Sequence, residues 1–177
     1  MNFLELAKQR CSVRNFEATK VEEEKLQQIL EAGRVAPTAA SRQPQSFLVI
    51  NSEEGFERLK SIGFNTSAPL VIITCGDHDN VWVREIDDKS MLDVDIAIAT
   101  DHMMLAADDL GLSSCWLGYF DIGVIKKTFN IPAHIEPISI LIIGYAKEGE
   151  KKSPDRHTTD RKPLSEFVHY NTYHTAK

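Results

Sequence analysis

"MLDVDIAIATDHMMLAADDL", Met91 to Leu110, is the stretch whose reading decides the fold. On a helical wheel its polar residues fall into two stripes rather than one face. Asp95, His102 and Asp109 recur at heptad spacing, and Asp93, Thr100, Asp101 and Asp108 lie roughly opposite. Two apolar sectors run between the stripes, one of Leu92, Ile96, Met103 and Leu110, the other of Val94, Ile98 and Leu105. A helix apolar on two sides packs on two sides. One side is its own core; the other meets a second layer of the same chain or a second subunit.

Strand signals surround this helix. "EPISILIIGYA", Glu136 to Ala146, is the strongest, with Ile138, Ile140, Leu141, Ile142 and Ile143 around one serine. "APLVIITCGD", Ala68 to Asp77, is a buried strand opened by Pro69, Phe47–Ile50 reads as a further strand, and "SSCWLGYFD", Ser113 to Asp121, as another strand or strand-turn. Helices are expected over Asn2–Arg10, with Asn2 as cap and Glu5 three residues on, and from Thr19, where Thr19 and Glu22 have capping-box spacing. The second continues through Leu26, Ile29, Leu30 and Gly33 to a break at Ala36-Pro37. Ser52–Ser61 reads as a helix weakened by Gly55, and Asp121 as the cap of a short helix ending before Pro132. "APTAASRQPQS", Ala36 to Ser46, is a loop of close backbone approach, and Asp77–Asp88 a second loop. The tail from Lys147 is charged and proline-punctuated until "PLSEFVHYN". Strands and helices alternate without a regular βαβ rhythm, which predicts an α+β (mixed α/β) domain with helices packed on a central sheet. No repeat or boundary divides it, so residues 1–177 are expected to form a single domain.

Composition narrows the function. At 177 residues the chain can bury a real core, and a net charge of −6 argues against a nucleic-acid binder, whose footprint is basic. No apolar run is long enough to span a bilayer, and MNFLELAKQR reads as an amphipathic helix rather than a secretory signal, so no membrane partner is expected. Cys11, Cys75 and Cys115 have no CxxC spacing and cannot all pair, for which a reducing cytoplasm is the simplest home.

Against this acidic background "QRCSVRNF", Gln9 to Phe16, carries two arginines. In an extended chain Arg10, Ser12 and Arg14 point one way while Cys11, Val13 and Asn15 point the other. Two guanidinium forks and a hydroxyl suit a dianionic phosphate monoester. The bland alternative is that Arg10 caps the first helix while Arg14 pairs with a surface acid. No GxG or GK[ST] offers a Rossmann or P-loop route to phosphate. His78 between Asp77 and Asp79 lacks ligand spacing, so no metal site is expected. Ser12 lacks a nucleophile elbow, and Cys115 reads as a core thiol. With no persuasive acid–base pair, a cofactor is expected to carry the chemistry, and no side chain is singled out as catalytic.

In order along the chain, four blocks resemble the nitroreductases, FMN-dependent oxidoreductases that act as homodimers. "QRCSVRNF" is similar to their R-x-S-x-R-x-F signature, and "APTAASRQPQSFLVI" to their A-P-S-x-x-N-x-Q-P-W-x-F loop and strand. "LAADDLGLSSCWLGYFD" resembles their Gly-Leu turn and W-I-G-x-F-D segment. "IPAHIEPISILIIGYAKE", with "RKPLSEFVHYN" after it, resembles their I-P-x-x-x-x-P-x-x-x-I-G-Y-P block and basic C-terminal segment. The resemblance implies a mainly antiparallel sheet flanked by helices, with an extensive dimer interface at Met91–Leu110. It further implies bound FMN, NADH or NADPH as transient reductant, and a small-molecule acceptor such as a nitroaromatic or quinone, reduced by a ping-pong mechanism. By the same resemblance Arg10, Ser12 and Arg14, with the Cys11 backbone, hold the phosphate and ribityl chain, and Arg161 matches a C-terminal phosphate-binding arginine. Pro37, Thr38, Ala39, Ser41 and Gln43 match the stretch that covers the flavin from the partner subunit, and Leu117 and Gly118 the strand beside the ring. Three positions depart from the pattern: Ser41 for asparagine, Gln45 for tryptophan, and Thr159 for a basic residue. They give sequence support to a rival reading, a flavin-binding or sequestering protein without turnover.

Overall fold

The structure is a computed structural model and describes residues 2–173. In chain order it contains α1 (Phe3–Gln9), α2 (Glu23–Arg34), a 3-10 turn at Ala39–Ser41, β1 (Gln45–Ile50), α3 (Glu53–Ser61), β2 (Leu70–Asp77), β3 (Val83–Arg84) and β4 (Lys89–Ser90). Then follow α4 (Leu92–Asp109), β5 (Ser113–Leu117), α5 (Ile122–Phe129), β6 (Ile135–Gly144), α6 (Arg156–Thr159) and a 3-10 turn at Leu164–Glu166.

Four strands form the central sheet in the order β1-β2-β6-β5, and each pairing is antiparallel. Because side chains alternate across a sheet, β2 and β6 each serve two cores. Val71, Ile73, Cys75, Ile140 and Ile142 join Leu59 of α3 and Ile125 of α5 on one face. Leu70, Ile72, Leu141 and Ile143 join Leu26 and Ile29 of α2 and Met103 and Ala107 of α4 on the other. The predicted sheet flanked by helices is what forms.

Local capping explains several boundaries. Asn2 and Glu5 make the reciprocal capping box of α1. Ser52 accepts from the Gly55 N–H at the start of α3, and Asp121 from the Val124 N–H at the start of α5. Gly55 admits close packing, since a Cβ there would sit 2.7 Å from Ile50 Cγ2 and force that side chain to shift. Two expectations are corrected. The second helix begins at Glu23, not Thr19, and its cap Glu22 makes no side-chain capping bond. Both Glu22 carboxylate oxygens instead accept from the Tyr145 hydroxyl, so a long-range partner takes the group. The Asp77–Asp88 loop also contains a strand, because β3 pairs with β4 in a short hairpin.

The polar stripes of the long helix are corrected in part, since three of their members are buried. Asp95, Thr100 and Asp108 are buried with Ile96, Ala99 and Met103, whereas Val94 is 46 % exposed. Midway along α4 the Thr100 hydroxyl donates to Ile96 O at 2.8 Å and meets Thr74 Oγ1 of β2 at 3.1 Å. Thr74 in turn meets Ser139 Oγ of β6 at 2.7 Å. Three buried alcohols thus join helix to sheet with their hydrogen-bonding groups satisfied.

Candidate cofactor site

The segment after α1 leaves the helix at the C-cap Arg10 and runs extended along the outer edge of β5. Val13 N–H donates to Ser114 O at 3.0 Å, and Ser12 forms a parallel bridge to Ser114. Further on, Phe16 N–H donates to Ser67 Oγ and Glu17 N–H to Tyr145 O. The predicted alternation holds from Cys11 to Arg14 and breaks at Asn15, which is exposed while Phe16 is buried. Cys11 and Val13 are buried, whereas Ser12 and Arg14 are exposed and Arg10 is half-buried.

Half of the bland account holds: Arg10 is the C-cap of α1, its N–H donating to Leu6 O, but Arg14 pairs with no acid among the described residues. Among the described residues, neither the Arg10 nor the Arg14 guanidinium forms a hydrogen bond or an ion pair. Two cationic forks and a hydroxyl without a hydrogen bond among the described residues, at alternate positions of one extended segment, are a donor set suited to a phosphate monoester. Asp108, at the end of α4, lies within electrostatic reach of Arg10. Burial raises its carboxyl above the usual carboxylate range, an effect opposed by Lys151, whose Nζ is 4.0 Å from Oδ1, and by Arg10.

Leu117 ends β5, and Gly118 follows it on the same edge. A Cβ at Gly118 would meet nothing within 4 Å, so the fold leaves open space in front of this strand end. A planar ring can approach backbone there without displacing a side chain.

The Pro37–Gln43 loop lies elsewhere. Its 3-10 turn has Ala40 at φ 50°, Ser41 at φ 53° and Gln43 at φ 53°, three non-glycine residues in the left-handed region. The Ala39 N–H donates to the buried Asp95 carboxylate at 2.8 Å, and the Gln43 N–H to Thr38 Oγ1 at 3.0 Å. Ser41 and Arg42 N–H groups also bond within the loop, which leaves those of Thr38 and Ala40 as its uncommitted backbone donors among the described residues. Asp95 and Asp108 stand near opposite ends of α4, about 20 Å apart at the helical rise. One chain therefore joins Arg10, Ser12, Arg14, Leu117 and Gly118 along one edge but holds its own Pro37–Gln43 loop at the far end of α4.

Two cations divide the tail. Arg161 is exposed and donates only to Asp160 O, at 3.5 Å, among the described residues. Arg156, which sequence reading passed over, donates to the backbone at Arg10. Gln45 lines a cleft of about 460 Å³ between α2 and β1 with Arg34, Gln43 and Phe47, and its Oε1 is buried without a partner. Among the described residues Asp77, Asp79 and His134 bring ligand atoms within 4.8 Å of one another. Asp77 already accepts from the Asp79 N–H and from Asn80 Nδ2, and His78 pairs instead with Glu136.

A family model described as "Putative TM nitroreductase" matches residues 2–177. The chain belongs to the nitroreductase family. A nitroreductase family protein from Clostridium difficile 630 is 48% identical, with a TM-score of 0.91 over 98% of this chain and 100% of that one. An FMN-dependent nitroreductase from Clostridium difficile R20291 is 27% identical, with a TM-score of 0.80 over 97% and 100% of the two chains. The Methanothermobacter thermautotrophicus protein named "Putative NADH dehydrogenase/NAD(P)H nitroreductase" is 30% identical over 84% of this chain and 79% of its own. The mainly antiparallel, helix-flanked sheet is the nitroreductase fold, and the chain is by family an NAD(P)H-dependent oxidoreductase.

Proposed function

We propose that this nitroreductase holds FMN at the β5 edge of each subunit of a homodimer, accepts reducing equivalents from NADH or NADPH, and passes them to a small acceptor such as a nitroaromatic or quinone. The observation that carries the reading is the pair of guanidinium groups, Arg10 and Arg14, that flank Ser12 and make no hydrogen bond or ion pair among the described residues. When bound, FMN would supply the redox chemistry, alternating between reductant and acceptor.

The chain's own residues have definable tasks. Arg10, Ser12 and Arg14 would neutralise and orient the phosphate, with the Cys11 backbone beside them. The backbone at Leu117–Gly118 would lie along the ring, where open space stands in front of Gly118. The Thr38 and Ala40 N–H groups would donate to the ring's polar edge, with Pro37, Ala39, Ser41 and Gln43 shaping the cover. For this, the loop of one chain must reach the arginines of another. A two-fold axis across the middle of α4 sets the helices antiparallel and brings the Asp95 end of one beside the Asp108 end of its mate. The exposed Val94 supports the second apolar face of α4 as the surface for that packing.

The test is the visible absorption spectrum of purified protein, followed by anaerobic addition of NADH and then NADPH. A flavin spectrum that bleaches is the expected result, and the faster donor names the reductant. A flavin spectrum that persists identifies a flavin-holding protein without turnover. No flavin after FMN is supplied overturns the site.

A further inference from the structure

Among the described residues the Arg10 and Arg14 guanidinium groups make no hydrogen bond, so any preorganisation of the site resides in their backbone. Downstream that backbone is held by Ser114, Ser67 and Tyr145. Upstream, at Arg10 itself, the holding group is Arg156. Its Nη2 donates to Arg10 O at 2.6 Å and to Lys8 O at 3.0 Å. Its Nη1 donates to Ser153 O at 2.9 Å and Lys152 O at 3.4 Å. His157 Nε2 lies 2.9 Å from the same Lys8 carbonyl, and the Lys152 N–H points to Cys11 Sγ at 3.4 Å. One planar fork therefore joins the end of α1 to the segment 152–157 and fixes the peptide from which Arg10 and then Ser12 project.

The electrostatics point the same way. The last carbonyls of a helix form its negative pole. Left bare beside a phosphate, the Lys8 and Arg10 carbonyls would repel it. With a guanidinium donating to both, they are satisfied and a positive charge stands behind the site.

We propose that Arg156 is a positioning residue for the phosphate end of the cofactor site, coupling the docked 152–157 segment to phosphate affinity. The inference rests on the reading of Arg10, Ser12 and Arg14 as phosphate ligands. Coupling is reciprocal: a phosphate that prefers the clamped backbone also tightens the clamp.

The experiment compares dissociation constants for FMN and for riboflavin, which has the same ring and ribityl chain without the phosphate, in wild type, Arg156→Ala and Arg156→Lys. The expected result is a loss of FMN affinity of about tenfold to a hundredfold in R156A, the scale of losing hydrogen bonds from a charged group. Riboflavin affinity stays unchanged, and R156K is intermediate. A purely structural role lowers the melting temperature and leaves the FMN-to-riboflavin ratio at its wild-type value; that result overturns the proposal. Hydrogen exchange on wild type needs no variant: FMN, and not riboflavin, should slow the amides of 152–158, and equal effects of the two overturn the coupling. A wild-type protein that binds both flavins equally removes the phosphate site itself, and with it the proposed function; a discriminating wild type with a discriminating R156A removes only Arg156's role.

Discussion

Replacing Asp95 with alanine should loosen one loop without loosening the core. Ala40, Ser41 and Gln43 each occupy the left-handed region, at about 1 kcal/mol apiece, so the loop carries roughly 3 kcal/mol of backbone strain. Opposing it are the Thr38–Gln43 bond and the Asp95–Ala39 bond, the latter to a carboxylate with 1 % exposure. A hydrogen bond to a charged group contributes about 1.5–3 kcal/mol. At 1.36 kcal/mol per factor of ten, its loss should favour the open loop by about 10- to 100-fold. The readout is hydrogen exchange at the Ser41, Arg42 and Gln43 amides, which bond inside the loop. They should exchange faster by that factor in Asp95→Ala and stay near wild type in Asp95→Asn, whose amide oxygen still accepts. Global stability should not fall in step, because Asp95 Oδ2 is buried without a hydrogen-bond partner and its removal relieves a desolvated charge. Unchanged exchange at 41–43 would refute the strap. A global loss with a protected loop would assign Asp95 to the core instead.

Three other outcomes are expected. Arg10→Ala combined with Arg14→Ala should purify without FMN while keeping the wild-type circular dichroism spectrum; full FMN content in that variant would sink the phosphate assignment. For Asp108, burial raises the folded-state carboxyl, so the folded chain binds this proton more tightly than the unfolded chain. Wild type should therefore lose stability as pH rises from the ordinary carboxylate range through the raised value, and the advantage of Asp108→Asn should be larger at pH 7 than at pH 4 by urea unfolding. An advantage that shrinks with pH contradicts the sign. Gly76→Ala would place a Cβ 2.6 Å from Leu92 Cδ1 and Cγ. It should cost about 1–3 kcal/mol by overpacking, with part of the loss recovered by adding Leu92→Ala; additive losses would place the strain elsewhere.

Local chemistry was legible in the sequence wherever its cause is local. Asn2 with Glu5, Ser52 and Asp121 each cap the helix that follows them, since a capping bond spans three residues. The apolar runs at β2 and β6 announce strands buried on both faces. Arg10, Ser12 and Arg14 could be placed on one side because alternation is a property of extended chain alone. What escaped reading depends on partners far away in sequence. Thr19 has capping spacing, yet Tyr145 claims Glu22. Asp95 and Asp108 look solvated until the Ala39 loop and Lys151 close over them. Arg156 carries no motif, and only the folded chain shows it reaching across to Arg10 O.

The three alcohols at Thr74, Thr100 and Ser139 have a consequence for azimuth. Apolar contacts between Ile96, Ala99, Met103 and the sheet are forgiving, because greasy surfaces repack at small cost. Hydroxyls are directional, and a turn of α4 by one residue, about 100°, would carry Thr100 away from Thr74 and break the hydrogen bond that joins helix to sheet. The trio acts as a keyway on a shaft. It sets the one rotation at which Asp95 aims at the Ala39 loop while Asp108 stands within electrostatic reach of Arg10, so two distant stations are indexed by a joint that touches neither.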